Sequence, residues 1–94
     1  MKTPEEILED NGYSIDDLQE SETMLFRDPD FHTAIVGVDH YGRVVYDYDK
    51  MLDYLVEYED MTYEDAADQI SYDTLRALDY MSGNKPVVMF PLIN

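Results

Sequence analysis

The apolar positions along the chain change spacing three times. From Thr3, apolar residues are sparse and set among acids. "TPEEIL" reads as a helix start: Thr3 is a good N-cap, Pro4 suits the first helical position, and Glu6 completes a capping box. Asn11-Gly12 ends that helix, because both residues tolerate the left-handed conformation of a C-terminal cap. "SIDDLQE" repeats the pattern, with Ser14 as cap and Asp16 and Asp17 in the positive first turn.

From Thr23 the texture becomes strand-like. "TMLF", "TAIVGVD" and "RVVYDY" predict three strands, separated by a turn at Asp28-Pro29-Asp30 and a hairpin loop at His40-Tyr41-Gly42. Ala34, Val36 and Val38 alternate with Ile35 and Gly37, so this strand is expected to be the most buried. In the next, Val44, Tyr46 and Tyr48 share one face, with Val45, Asp47 and Asp49 on the other.

The second half has helical spacing. "DKMLDYLVEYED" places Met51, Leu52, Leu55 and Tyr58 at core-like intervals. "MTYEDAADQI" opens another helix, with Thr62 as cap and Ala66, Ala67 and Ile70 facing inward. Ser71-Tyr72-Asp73 reads as a break before "TLRALDYM", and Ser82-Gly83-Asn84 as a stop. Val87 to Phe90 reads as an edge strand, flanked by Pro86 and Pro91. The predicted order is α-α-β-β-β-α-α-β. This is one α+β domain over residues 1–94, with about four short helices and a small, mostly antiparallel sheet of three to four strands.

Composition narrows the chemistry. A chain of 94 residues buries somewhat over ~60% of its unfolded surface, so nearly every apolar side chain matters. The absence of cysteine excludes disulfides, a thiolate nucleophile and a Cys-ligated metal. "MKTPEEILED" shows no secretory h-region, and no apolar run approaches the ~20 residues that span a bilayer. The expectation is a cytoplasmic protein without a membrane partner.

Charge changes the picture most. Six Lys and Arg against 22 Asp and Glu give a formal net charge of −16. Such a field repels nucleic acid and steers basic protein surfaces inward. Solubility alone is the plainer explanation, and adaptation to high salt a third.

One stretch invites an enzymatic reading. The haloacid dehalogenase superfamily places a nucleophilic Asp and an acid/base Asp two residues apart after a strand, and "VVYDYDK" is similar to that motif. That superfamily also needs a Thr or Ser motif, a basic phosphate ligand and a further acidic pair on a larger scaffold. The simpler reading is a strand-to-helix junction, in which Asp49 caps a helix starting at Lys50 and Asp47 points to solvent. Asp47, Asp49 and Asp53 lack the glycine and distal Glu of an EF-hand loop. His32 and His40 share no ligand spacing, and no nucleophile–His–Asp set stands out. The reading is no enzyme, no metal and no cofactor, with weak cation binding among Asp47, Asp49 and Asp53 left open.

What remains is the acidic helical half. From Val44 to Asp73 stand ten acids, a single lysine (Lys50) and six tyrosines. Asp49, Asp53, Glu57 and Asp60 recur every three or four residues, and Glu64, Asp65 and Asp68 form a second face. With Asp47, Tyr54 and Tyr58 these are the candidate partner-binding residues, since tyrosine offers rigid contact area with a polar tip. A solvated face is the plainer account. The sharper one is mimicry of a nucleic-acid backbone. One helical stripe offers a carboxylate per ~6 Å, against one charge per ~1.7 Å of duplex DNA. A mimic must therefore pool several elements, and Glu5, Glu6, Glu9, Asp16, Asp17 and Glu20 would add to it if they lay on the same side.

"GRVVYDYDKM" and "MTYEDAADQISYDTLRALDYM" resemble segments of a family of short acidic proteins, without an assigned activity, from low-GC Gram-positive bacteria and their phages and mobile elements. The likeness covers Phe26 to Pro91, and the family has proline where this chain has Asp79. The resemblance implies context rather than residue roles: small acidic phage and prophage proteins often inhibit host nucleases, including restriction and CRISPR effectors. The expected function is a DNA mimic that engages the basic nucleic-acid-binding groove of a host protein. The rival is an assembly protein, a homodimer joined through Val87–Phe90.

Overall fold

The computed structural model describes residues 2–92. Helix α1 (Pro4–Asp10) starts as its sequence dictates. Glu6 N–H donates to the Thr3 hydroxyl at 3.2 Å, and Thr3 N–H donates to the Glu6 carboxylate at 3.3 Å, closing the capping box. Asn11 and Gly12, the latter at φ +90°, end it. Helix α2 (Ile15–Glu20) begins at Ser14.

Strands β1 (Ile35–Val38) and β2 (Val44–Asp47) form an antiparallel hairpin, and β3 (Val87–Met89) pairs parallel to β2. The order β1-β2-β3 leaves β3 at an edge, as its prolines predict. Helix α3 (Tyr48–Tyr58) follows β2 directly. Helix α4 (Tyr63–Gln69) runs through a π-turn (Ile70–Thr74) into α5 (Leu75–Ala77). The class is α+β, as expected. The sheet is mixed rather than mostly antiparallel, because the helical crossover from α3 to α5 returns the chain in the direction of β2.

Four sequence expectations shift. The segment Thr23–Phe26 is not a strand: it makes a single bridge, Thr23 to Asn84. Consecutive Leu25 and Phe26 are both buried, and Phe26 N–H donates to the Tyr46 hydroxyl (3.3 Å) instead of to a neighbouring strand. The most buried strand is β2, with Val44 and Tyr46 sealed from solvent. In β1 the register slips between Ile35 and Gly37, which leaves Val36 exposed, and Ala34 precedes the strand in a 3₁₀ turn. The cap of α3 is Asp47, which accepts from Lys50 N–H at 3.1 Å, and not Asp49. The expected break at Ser71–Asp73 is the π-turn, where Leu75 N–H donates to Ile70 O and the helix continues.

The core joins these elements. Phe31, Val44, Tyr46, Met51, Leu55, Ala66 and Ile70 are wholly or almost wholly buried. The Phe26 ring lies edge-on to Tyr46 (4.7 Å) and to Phe31 (5.7 Å).

Candidate functional site

Helix α3 has two faces, set by its spacing. Met51 and Leu55 point into the core, while Asp49, Asp53 and Glu57, each four residues apart, point to solvent. Helix α4 repeats the division. Ala66 and Ile70 are buried, and Glu64, Asp65 and Asp68 are exposed. Asp60 is also exposed, in the turn between the helices, at φ +55°. The helices pack on one another, and Tyr63 of α4 donates its hydroxyl to Asp53 Oδ1 of α3 at 2.9 Å. That bond to a carboxylate raises the Tyr63 pKa.

Local rules explain part of this. Glu64 and Asp65 sit in the first turn of α4, where the helix dipole favours anions, and Thr62 caps it by accepting from Asp65 N–H at 3.1 Å. The dipole does not account for Glu57, Asp60 or Asp68.

The remaining three predicted residues are used differently. Asp47 is the α3 cap. Tyr54 and Tyr58 turn toward a cluster that sequence reasoning missed. Asp30 Oδ1 accepts from His32 N–H (3.0 Å), lies 2.9 Å from His32 Nδ1, and accepts from the Tyr54 hydroxyl (3.3 Å). The Tyr54 ring meets His32 edge-on at 5.4 Å and Tyr58 at 4.8 Å. Partial burial, then the Asp30 charge, push the Tyr54 pKa up to about 12. The available signal was Asp-x-His: an Asp side chain readily takes the N–H two residues on.

Charge pairing separates the two halves. Glu5 pairs with Arg27, Asp10 with Lys2, and Asp39 Oδ2 with Arg43 Nε at 2.7 Å. Asp39 also takes the N–H groups of Tyr41 and Arg43. Desolvation opposes its charge, but these bonds hold its carboxyl below the ordinary value. Among the described residues, no acid from Asp47 to Asp79 pairs with a base.

Among the described residues no group of three or more His, Cys, Asp or Glu side chains converges to hold a metal ion. The carboxylates Asp47, Asp49 and Asp53 are therefore not a cation cage. No described helix is long and apolar enough to cross a membrane. Compared with protein-family models, curated proteins and solved structures, the chain matches none.

Proposed function

We propose that the protein is a non-enzymatic binding module whose α3–α4 face engages the basic nucleic-acid-binding groove of another protein as a DNA mimic. The carrying observation is that, among the described residues, the exposed carboxylates of this face have no basic partner. A partner's lysines and arginines would meet charges that no described base of the chain neutralises, in a net field of −16 that speeds encounter. A second acidic helix bears on the spacing problem: two stripes in line would offer about one carboxylate per 3 Å, closer to the density of duplex DNA. Tyr63 (58% exposed) and Tyr72 (68%) add aromatic contact area. The likeness to short acidic proteins of phages and mobile elements favours a restriction or CRISPR effector as the target.

The test is capture from host lysate with the tagged protein, washing with rising salt, then challenge with duplex DNA. A nucleic-acid enzyme that is released by salt and displaced by DNA is the expected result. Binding to it should fall at least tenfold in the Asp49→Lys, Glu57→Lys double variant, which spares the Asp53–Tyr63 bond. Unchanged affinity in that variant removes this face from the proposal.

A second reading, self-assembly through β3, has its own observation. β3 is an edge strand, and Phe90 (60% exposed) and Leu92 (93%) follow it in a stretch from Tyr80 onward that contains no acid. Its mark is a mass that rises with concentration and ignores the acidic substitutions.

A further inference from the structure

Away from the acidic face, a cleft of about 370 Å³ opens between the segment Met24–Phe31 and the helical stretch that runs from Gln69 to Tyr80 and ends at Met81. The volume is that of a small-molecule pocket. Its walls are largely apolar, from Phe26, Pro29, Ala77 and Met81, with Asp28 and Asp73 also among the lining residues.

Two backbone irregularities meet at this cleft. Phe31 is a fully buried, non-glycine residue at φ +49°, an arrangement that costs energy and persists only where surroundings enforce it. Opposite it lies the π-turn, a feature that gathers at functional sites because it inserts an extra residue into a helix and re-aims its side chains. The last residue of that turn is Thr74. Among the described residues His32 and Thr74 are the two polar side chains that are buried. His32 is committed to Asp30, whereas Thr74, 7% exposed, lines the cleft. The cleft also has one base, Arg27, but its guanidinium is held by Glu5.

We infer that this cleft is a binding site for a small amphiphilic amine: an ammonium head on a compact alkyl or aryl body. The body displaces water from the apolar walls, the hydroxyl of Thr74 accepts from the ammonium, and Asp73 and Asp28 offset its charge. A carboxylate ligand would meet two like charges. A bare cation would leave the walls wet and have no reason to prefer this place over α3 and α4. The inference is independent of the acidic-face proposal, because none of these residues belongs to that face.

The test uses the full chain, ¹⁵N-labelled, titrated with hexylammonium, methylammonium or hexanoate and followed by amide chemical shifts. Hexylammonium should give saturable shifts confined to residues 24–31 and 69–81, and neither control should saturate there. Asp73→Asn should weaken hexylammonium about tenfold, as expected when one of the two carboxylates that offset the ammonium is neutralised. The near-isosteric Thr74→Val should weaken it severalfold. Asp79→Asn, an exposed acid outside the cleft, should leave it unchanged, with retained spectral dispersion confirming each fold. Hexylammonium shifts spread over Asp49 to Asp68, equal response to methylammonium, or full affinity in both cleft variants would overturn the inference.

Discussion

Two populations of carboxylate share this small domain, and they are used in opposite ways. Before β2, Asp30 and Asp39 each gather several donors, and Glu5 and Asp10 each face a base. After it, the acids of α3 and α4 gather almost none. The first population is spent on holding loops in shape. The second contributes little to the fold and even strains it, since like charges four residues apart on a helix repel by ~0.2–0.5 kcal/mol per pair. A charge that does no internal work is the one free to meet a partner.

The comparison breaks most visibly at Asp30. Asp30→Ala orphans the His32 N–H and the buried His32 ring nitrogen, and removes the Tyr54 acceptor. At roughly 1–3 kcal/mol for each buried group left unpaired, the loss should be about 3 to 4 kcal/mol. Glu57→Ala, on the exposed face, should lie within about 0.5 kcal/mol of the parent. Urea unfolding of the two variants measures both. Equal midpoints would mean that Asp30 is no more structural than its exposed counterparts.

The next effect comes from pH. Tyr46 is sealed in the core, and burial lifts its pKa from 10 to about 12, against a smaller opposing pull from the Phe26 N–H. A pKa raised by folding means that the native state keeps its proton after the unfolded chain has lost it. Stability is therefore undiminished below pH 10 and falls as pH rises toward 12, by roughly 3 kcal/mol from Tyr46, and Tyr54, raised in the same direction, adds to the fall. Denaturation midpoints from pH 8 to 12 test this. A midpoint that stays level across that window would contradict the buried, protonated Tyr46.

The junction at Asp47 tests the boundary between the two populations. It is the last residue of β2 and the cap of α3, and it lies at the edge of the candidate face. Asp47→Ala should cost about 1 kcal/mol as a lost cap. Asp49→Ala, two positions on but capping nothing, should cost little. Thermal unfolding of the pair separates them, and the reverse order would restore the cap predicted from sequence.

That junction also shows what the sequence could carry. Signals confined to three or four residues were legible: the Thr3/Glu6 box, the Thr62 cap, the Asn11-Gly12 stop and the alternation of Val44 and Tyr46. The six exposed acids of α3 and α4 were legible too, because helical spacing alone stacks them; Asp60, expected on the same stripe, lies beyond the end of α3 in the turn. Asp47 and Asp49 are the same residue two positions apart, so local chemistry had no means to choose the cap. The pairing of β2 with β3 fixes Asp47 opposite Met89 as the strand's last residue, and the helix starts there. "TMLF" has strand composition, but a strand needs a partner, and its donors go to Asn84 and to the Tyr46 hydroxyl. The Asp30–His32–Tyr54 cluster joins residues 24 apart, and the π-turn has no composition of its own. Both are products of packing.

The smallest prediction reverses sign, and so bears most directly on whether the α4 acids serve the fold. Glu64 and Asp68 are four residues apart on α4, exposed, and unpaired among the described residues. If they are there for stability, changing either should weaken the protein. The repulsion argument predicts the opposite. Asp68→Lys replaces a like-charge pair with Glu followed by Lys at i,i+4, the favourable orientation on a helix. It also lowers the magnitude of the net charge from 16 to 14, since one −1 becomes +1. The expected outcome is a gain of about 0.3–0.5 kcal/mol, largest at low salt and shrinking as ionic strength rises. Guanidinium chloride would mask the effect, so urea titrations at low and at high sodium chloride are the measurement. A gain in stability accompanied by weaker partner binding would show Asp68 retained against the interest of the fold. A loss of stability would return that acid to the structural population, and the face would shrink to α3.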